Sequence, residues 1–264
     1  MKFKSVLFFL ILPFFCWSQS GFESILLAVE SDSKKLFQGY MSPLMKGAIY
    51  SSNAGWFNSA KVHKKLGVDL SLRLNASFVP VSDQVFSISN LEYVTSKAAN
   101  LPTIIGDSRQ EDLLITIPSD GILPQMSTTI KAPKGIKNKL PLGAVPAPVL
   151  QLGIGIPFDT ELIIRYSPEY HRKGIDMSLK GIGIKHNLLQ YFGPIDRFPL
   201  NVSALASFSQ MKIDYDIQSF SSINGSGQIA QFNLNNYNLL LLASLDVLVV
   251  NFYAGIGLSG GNSS

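Results

Sequence analysis

The chain has 264 residues, 46% of them hydrophobic and 15% charged, with a formal net charge of +4 and a mean hydropathy of +0.22. Globular chains carry about 25% charged residues, so the composition excludes a disordered chain and points to a membrane protein or to one with a very large core. Setting aside Lys2 and Lys4 leaves the rest nearly neutral, and Lys131, Lys134, Lys137 and Lys139 are strung through a Pro/Gly-rich stretch without interleaved aromatics. No nucleic-acid partner is expected.

Residues 1–18 have the layout of a signal peptide, with Lys2 and Lys4 as the charged region, Val6 to Phe15 as the apolar core and Cys16-Trp17-Ser18 as the cleavage site before Gln19. Cys16 is the only cysteine; its use as a lipidated residue is the alternative, disfavoured by the bulky Phe15. Cleavage would leave a mature chain without thiols, hence without disulfides or thiolate metal ligands.

Residues 19–66 are expected to be a helical segment and connector. Phe22, Ile25, Leu26, Val29, Leu36 and Tyr40 recur at helical spacing against Glu23, Glu30, Asp32, Lys34 and Lys35. Ser42-Pro43 is predicted to end or kink that helix, with a second short turn over Leu44 to Tyr50 and a polar connector over 51–65.

The barrel region is expected over 67–264. Val68, Leu70, Leu72, Leu74, Ala76 and Phe78 alternate without a break with polar residues, an amphipathic strand of period two. Eleven residues suffice to cross a bilayer when tilted, where roughly 9–11 are needed. A shorter alternation follows at Val85 to Ile88, and a long Pro-rich loop is expected at about 100–148, with a strand such as Asp112 to Ile117 inside it. Further strands are predicted at 149–156, 160–166, 176–187, 200–217, 228–242 and 244–258, with Asp246 in a tight turn and a bulge at Ser209-Gln210, where the apolar residues change parity. Gly153-Ile154-Gly155, Gly181-Ile182-Gly183 and Gly255-Ile256-Gly257 suggest either curvature and close backbone approach or room on an inner wall for the N-terminal helix or a ligand.

Unpaired backbone groups cost several kcal/mol in hydrocarbon, so spanning strands must close into a ring. The fold class expected is therefore all-β, an antiparallel transmembrane β-barrel with an N-terminal amphipathic helix, in an outer membrane. A secreted β-sandwich is the competing reading; Phe78, Tyr166, Tyr215 and Tyr253 near strand ends favour the barrel. Asp69, Arg73, Asn75, Glu161, Arg165, Lys212, Asp214 and Asp216 are the candidate lumen-lining residues. No catalytic, cofactor or metal constellation is legible: His63, His171 and His186 are scattered, with His63 read as a solvated connector residue, and there is no GxSxG elbow.

Tyr40-Met41-Ser42-Pro43-Leu44-Met45-Lys46-Gly47, Asn53-Ala54-Gly55-Trp56-Phe57-Asn58-Ser59-Ala60-Lys61, Gln151-Leu152-Gly153-Ile154-Gly155 and Gly181-Ile182-Gly183-Ile184-Lys185-His186 carry a resemblance over nearly the whole mature chain. They resemble a family of exported Bacteroidota proteins grouped as a domain of unknown function and treated as outer-membrane barrels. Relatives of that type finish on a terminal strand, whereas this chain finishes on Gly260-Gly261-Asn262-Ser263-Ser264, which reads as a turn; an incomplete barrel is expected, of roughly ten to fourteen strands when whole. The plan is also similar to that of the long-chain fatty-acid transporter type, by architecture alone. The expected role is passive transport or binding of a small molecule, with a hydrophobic one among the candidates, and with membrane lipid and the barrel-assembly machinery as partners. The alternatives are a non-transporting structural or surface-interaction barrel and an outer-membrane hydrolase.

Overall fold

A computed structural model describes residues 30–117, 125–172, 175–193, 199–216 and 229–264, with backbone alone at 141, 170–172, 175, 215–216 and 229–230. The predicted signal peptide and Phe22, Ile25, Leu26 and Val29 lie outside this set. The fold is mostly antiparallel β with one long helix, and it divides into two compact units: residues up to Tyr40 with Pro80–Ala144, and Met41–Val79 with Val145–Ser264.

The helix, α1, runs unbroken over Glu30–Asn53 with Pro43 inside it, so the expected break at Ser42-Pro43 does not occur. Proline's ring crowds the carbonyl four residues back; that residue is Gly39, where a Cβ would itself meet the Phe86 ring at 2.4 Å. Burial of Leu36, Tyr40, Met45, Ala48 and Ile49 on both sides of the proline outweighs the lost backbone hydrogen bond.

In the first unit, the predicted loop is largely structured. Strands β2 (Val85–Ser87) and β4 (Asn100–Pro102) pair, as do β3 (Val94–Ser96), β5 (Asp112–Ile117) and β6 (Met126–Lys131) in the order β3-β5-β6. Leu36, Leu101, Ile105, Leu113 and Ile115 form its interior. Asp32 is fully buried, and its carboxylate accepts from the backbone N–H groups of Glu92, Tyr93 and Val94 at 2.6–3.1 Å. Asp32→Ala is expected to destabilise this unit by about 3 kcal/mol or more, at ~1–3 kcal/mol per orphaned buried group. Amide exchange at 92–94 would accelerate far beyond exchange in the second unit; unchanged protection there would show that the carboxylate is not what holds the strand.

The second unit is a curled seven-stranded half-barrel sheet. β1 (Val68–Phe78), β7 (Ala144–Ile156), β8 (Thr160–Arg172), β9 (Ile175–Asn187), β10 (Leu200–Asp216), β11 (Ile229–Val247) and β12 (Val250–Ser263) lie in the order β1-β7-β8-β9-β10-β11-β12. The strands from β7 to β12 pair as antiparallel neighbours. No bulge forms at Ser209-Gln210: β10 keeps one register against both β9 and β11. β11 continues through Asp246, and the turn falls at Leu248-Val249. No helix among the described residues is long and apolar enough to cross a membrane.

The polarity of the sheet is inverted relative to a water-soluble domain. On β1 the apolar residues from Val68 to Phe78 are the exposed row, while Asp69, Ser71, Arg73, Asn75 and Ser77 are half-buried. The same outward apolar row continues through Leu150, Ile164, Ile182 and Ile184 to Phe208, Leu239, Leu241 and Ile256, all exposed. Soluble monomers rarely expose continuous apolar patches above a few hundred Å².

Candidate functional site

The inner face is occupied by the chain's own connector, residues 54–67. α1 ends at Asn53, and Gly55 then takes φ +69°, the left-handed geometry that glycine adopts without a Cβ penalty at a helix C-terminus. A Cβ at Gly55 would also come within 2.3 Å of Asn75 Oδ1. This turn delivers Trp56 onto the wall, where its ring lies over Gly181 and Gly183; a Cβ on Gly183 would approach the indole to 2.9 Å. Trp56, Ala60, Ile163, Leu205 and Leu242 form one buried cluster, with Phe57 and Leu240 packed against it.

Arg165 of β8 completes the seat. Its guanidinium stacks 3.9 Å from the Trp56 ring centre. Nε donates to Gln151 Oε1 at 2.8 Å, and Nη1 donates to the Ser52 and Ala54 carbonyls at 3.0 and 2.9 Å. Those carbonyls belong to the end of α1, where backbone acceptors lack helical partners and the macrodipole favours a cation.

A second anchor is ionic. Glu161 Oε2 receives the His63 ring Nδ1 at 2.9 Å and the His63 backbone N–H at 3.2 Å, and lies 3.0 Å from Lys185 Nζ. Glu161 and Lys185 are both buried. Further along, Ser203 Oγ donates to the Ala60 carbonyl, Ala60 N–H donates to Ser244 Oγ at 3.0 Å, and Asn238 Nδ2 donates to Asn53 Oδ1 at 3.1 Å. On this wall Glu161, Arg165, Ser203 and Ser244 thus bind the connector directly. Among the described residues, no three His, Cys, Asp or Glu side chains are placed to hold a metal.

A family model described as Family of unknown function (DUF6588) matches residues 1–264. The chain belongs to this family. No curated protein and no solved structure matches it.

In this DUF6588 chain the sequence candidates divide. Asp69, Arg73 and Asn75 are half-buried on the inward row of β1, and Glu161 and Arg165 are buried in the seat just described. Lys212 and Asp214 fall on the opposite, outer face, paired to each other at 2.7 Å, which corrects the inward assignment. The expected bulge had turned their parity inward; without it, Met211 takes the buried position and Lys212 the exposed one. The side chain of Asp216 and that of His171 lie outside the described residues. Tyr166 and Phe78 are exposed, but Tyr253 pairs with Ser244 on the inward row and meets Phe57 edge-on at 5.8 Å. Tyr215's side chain lies outside the described set.

Sequence reasoning missed Trp56, Lys185 and the role of His63. His63 and Glu161 are 98 residues apart, so no local spacing announces the pair. The Gly-Ile-Gly runs were the available signal: the room they make is filled by residues of the connector, with Lys64 O at 2.1 Å from a Cβ on Gly155 and the Phe57 ring at 2.7 Å from one on Gly255.

Glu161→Gln is expected to lower the stability of the second unit by ~3–5 kcal/mol, because it leaves Lys185 buried without a counter-charge. A lower denaturant midpoint in detergent is the readout, and the double variant Glu161→Leu/Lys185→Met should recover most of the loss. No recovery in the double variant would mean that the hydrogen bonds to His63, not the ion pair, dominate.

Proposed function

We propose that this protein is a transmembrane β-barrel-type protein of an outer membrane, exported by its N-terminal signal, whose wall contacts lipid on one face and holds its own connector as a plug on the other. The single observation that carries the reading is the inversion of polarity across the seven-stranded sheet. On β11 Tyr237, Leu239, Leu241 and Leu245 face outward and exposed, while the alternating inward positions hold the buried Asn236, Asn238 and Ser244 together with Leu240 and Leu242. In water each of these exposed leucines forgoes part of the ~1.5–3 kcal/mol that full burial of such a side chain is worth, whereas in hydrocarbon the same row is solvated.

The dimensions agree with a bilayer. The outward apolar row of β11 runs from Tyr237 to Val247. At ~3.4 Å per residue and a tilt of ~40° it stands ~26 Å tall, against ~25 Å for the apolar band of such barrels. Phe208 and Tyr237, paired at one border, match the aromatic girdle expected there.

The role we assign is passive transport or binding of a small molecule, with the pathway closed by residues 54–67 in the conformation described. Membrane fractionation and a heat-modifiability gel test the location: recovery in the soluble periplasmic fraction overturns it. Single-channel conductance tests the role. The intact protein should be silent, and deletion of residues Trp56 to Lys65 should open a stable conducting state. Silence after deletion, in a variant that still shows heat modifiability, favours the second reading, a structural barrel that anchors the unit formed by residues 80–144. That alternative is supported by the number of direct hydrogen bonds that fix the connector.

A further inference from the structure

The two borders of the outward apolar belt are unlike each other. At one, polarity changes within a single rung of the ladder. Beyond Phe208 and Ile182 the next outward pair is Gln210 and Lys180, followed by Lys212 with Asp214 and by Gln231, which donates to Asp214 at 2.9 Å. That border faces water.

At the other border a single polar outward pair, Thr160 with His186, precedes turns that carry large apolar side chains. The β7–β8 turn carries Phe158, the β9–β10 connection carries Tyr191 and Phe192, and the β11–β12 turn is Leu248-Val249; all are exposed, Leu248 at 100% and Val249 at 98%. The turn chemistry runs against solvation as well. Leu248 holds φ 54° and Phe158 φ 64°, left-handed geometry that costs an L-residue roughly 1–2 kcal/mol and that Asn or Gly would occupy at little cost in a hairpin turn. Two large apolar side chains therefore sit at strained turn positions and are presented outward, where a polar turn residue would be both relaxed and hydrated.

The outward polar atoms of this border are matched among themselves. Thr160 Oγ1 meets His186 Nδ1 at 2.8 Å, and His186 Nε2 meets the Tyr191 phenol at 2.9 Å. Asp246 turns inward, where it accepts from Asn201 and Asn251. Among the described residues, Asp159 and Gln190 are exposed at these turns beside Phe158, Tyr191, Phe192, Leu248 and Val249, which give the outer side its apolar and aromatic character.

We infer that this turn-bearing end of the sheet is itself seated in lipid, with Phe158, Tyr191, Phe192, Leu248 and Val249 anchored in the interfacial layer, so that the wall ends inside the bilayer boundary at this end and projects into water only at the Gln210 end. Tyrosine and other amphipathic rings favour that layer, and fully apolar tips favour the hydrocarbon beneath it. The inference rests on the lipid-facing reading of the belt and adds the depth at which the molecule sits.

Spin labels on full-length protein in phosphatidylcholine vesicles test it, in a Cys16→Ala background with single substitutions Leu248→Cys, Phe158→Cys, Leu241→Cys and Lys212→Cys. Apolar oxygen and an ionic nickel chelate partition oppositely between hydrocarbon and water, so the oxygen-to-nickel accessibility ratio at Leu248 and Phe158 should fall between those at Leu241 and Lys212, clearly above that at Lys212. If Leu248 and Phe158 behave as Lys212 does while Leu241 remains in lipid, the inference fails and the barrel reading stands. Water-like ratios at Leu241 as well overturn both. Turn labels shielded from both reagents overturn the lipid seat in favour of a protein contact.

Discussion

Trp56→Ala is expected to lower the stability of the second unit by ~3–5 kcal/mol, the range for removing a large aromatic from a packed site. The indole is 1% exposed and touches three partners of different kinds: the glycine-cleared surface at Gly181 and Gly183, the apolar cluster with Ile163, Leu205 and Leu242, and the guanidinium of Arg165. No neighbouring side chain stands on those glycines to refill the space, so the cavity should not collapse. The measurement is the denaturant midpoint, and the complementary variant Gly183→Val should produce a loss of similar sign by displacing the same ring. A wild-type midpoint for both would mean that the connector is not packed on the wall. If the connector is the plug, Trp56→Ala should also raise single-channel open probability from near zero, a change that a residue of purely structural role in a filled barrel would not produce.

Arg165→Met is expected to cost about 3 kcal/mol or more. It strands three acceptors at once, the Ser52 and Ala54 carbonyls and Gln151 Oε1, at ~1–3 kcal/mol each, offset in part by relief of the buried charge. Arg165→Lys should recover only a minor part, because one ammonium cannot reproduce the planar fork that bonds a side-chain amide and two carbonyls while stacking on an indole. A lysine variant as stable as the parent would show that charge at the helix end, rather than fork geometry, is what the site uses. Amide exchange at residues 50–54 separates the cases, since only loss of the cap should let the last turn of α1 fray.

How legible each feature was depended on the range of the interaction behind it. The outward and inward rows of β1 were readable because side-chain direction in a strand alternates with period two, and Val68 to Phe78 obey that period throughout. α1 was legible in part, since its helical spacing continues past Pro43, but the rule against interior proline misplaced its end. The break was overridden by burial at Tyr40, Met45 and Ala48, which a local rule does not weigh. At Ser209-Gln210 the apolar residues change parity, and a bulge was the simplest local explanation. The ladder keeps one register on both sides of these residues, so the apolar residues change faces at Gln210 while the backbone pairing continues unbroken. Within 80–144 the alternation at Val85 to Ile88 and the strand Asp112 to Ile117 were legible and match β2 and β5, whereas β3, β4 and β6, three to six residues long, are too short for periodicity to register.

The sequence alone determined the alternating faces of β1 and of β10 as far as Phe208, because side-chain direction in a strand follows local order along the polymer. Only the tertiary structure decided that Lys212 and Asp214 face outward, that Arg165 closes a helix end more than a hundred residues away in the chain, and that His63 and Lys185 converge on Glu161. Those facts depend on how the sheet curls and where the connector lies. The free energy of a buried charge or a stacked ring is set by neighbours brought together in space, and alternation along a strand carries no record of them.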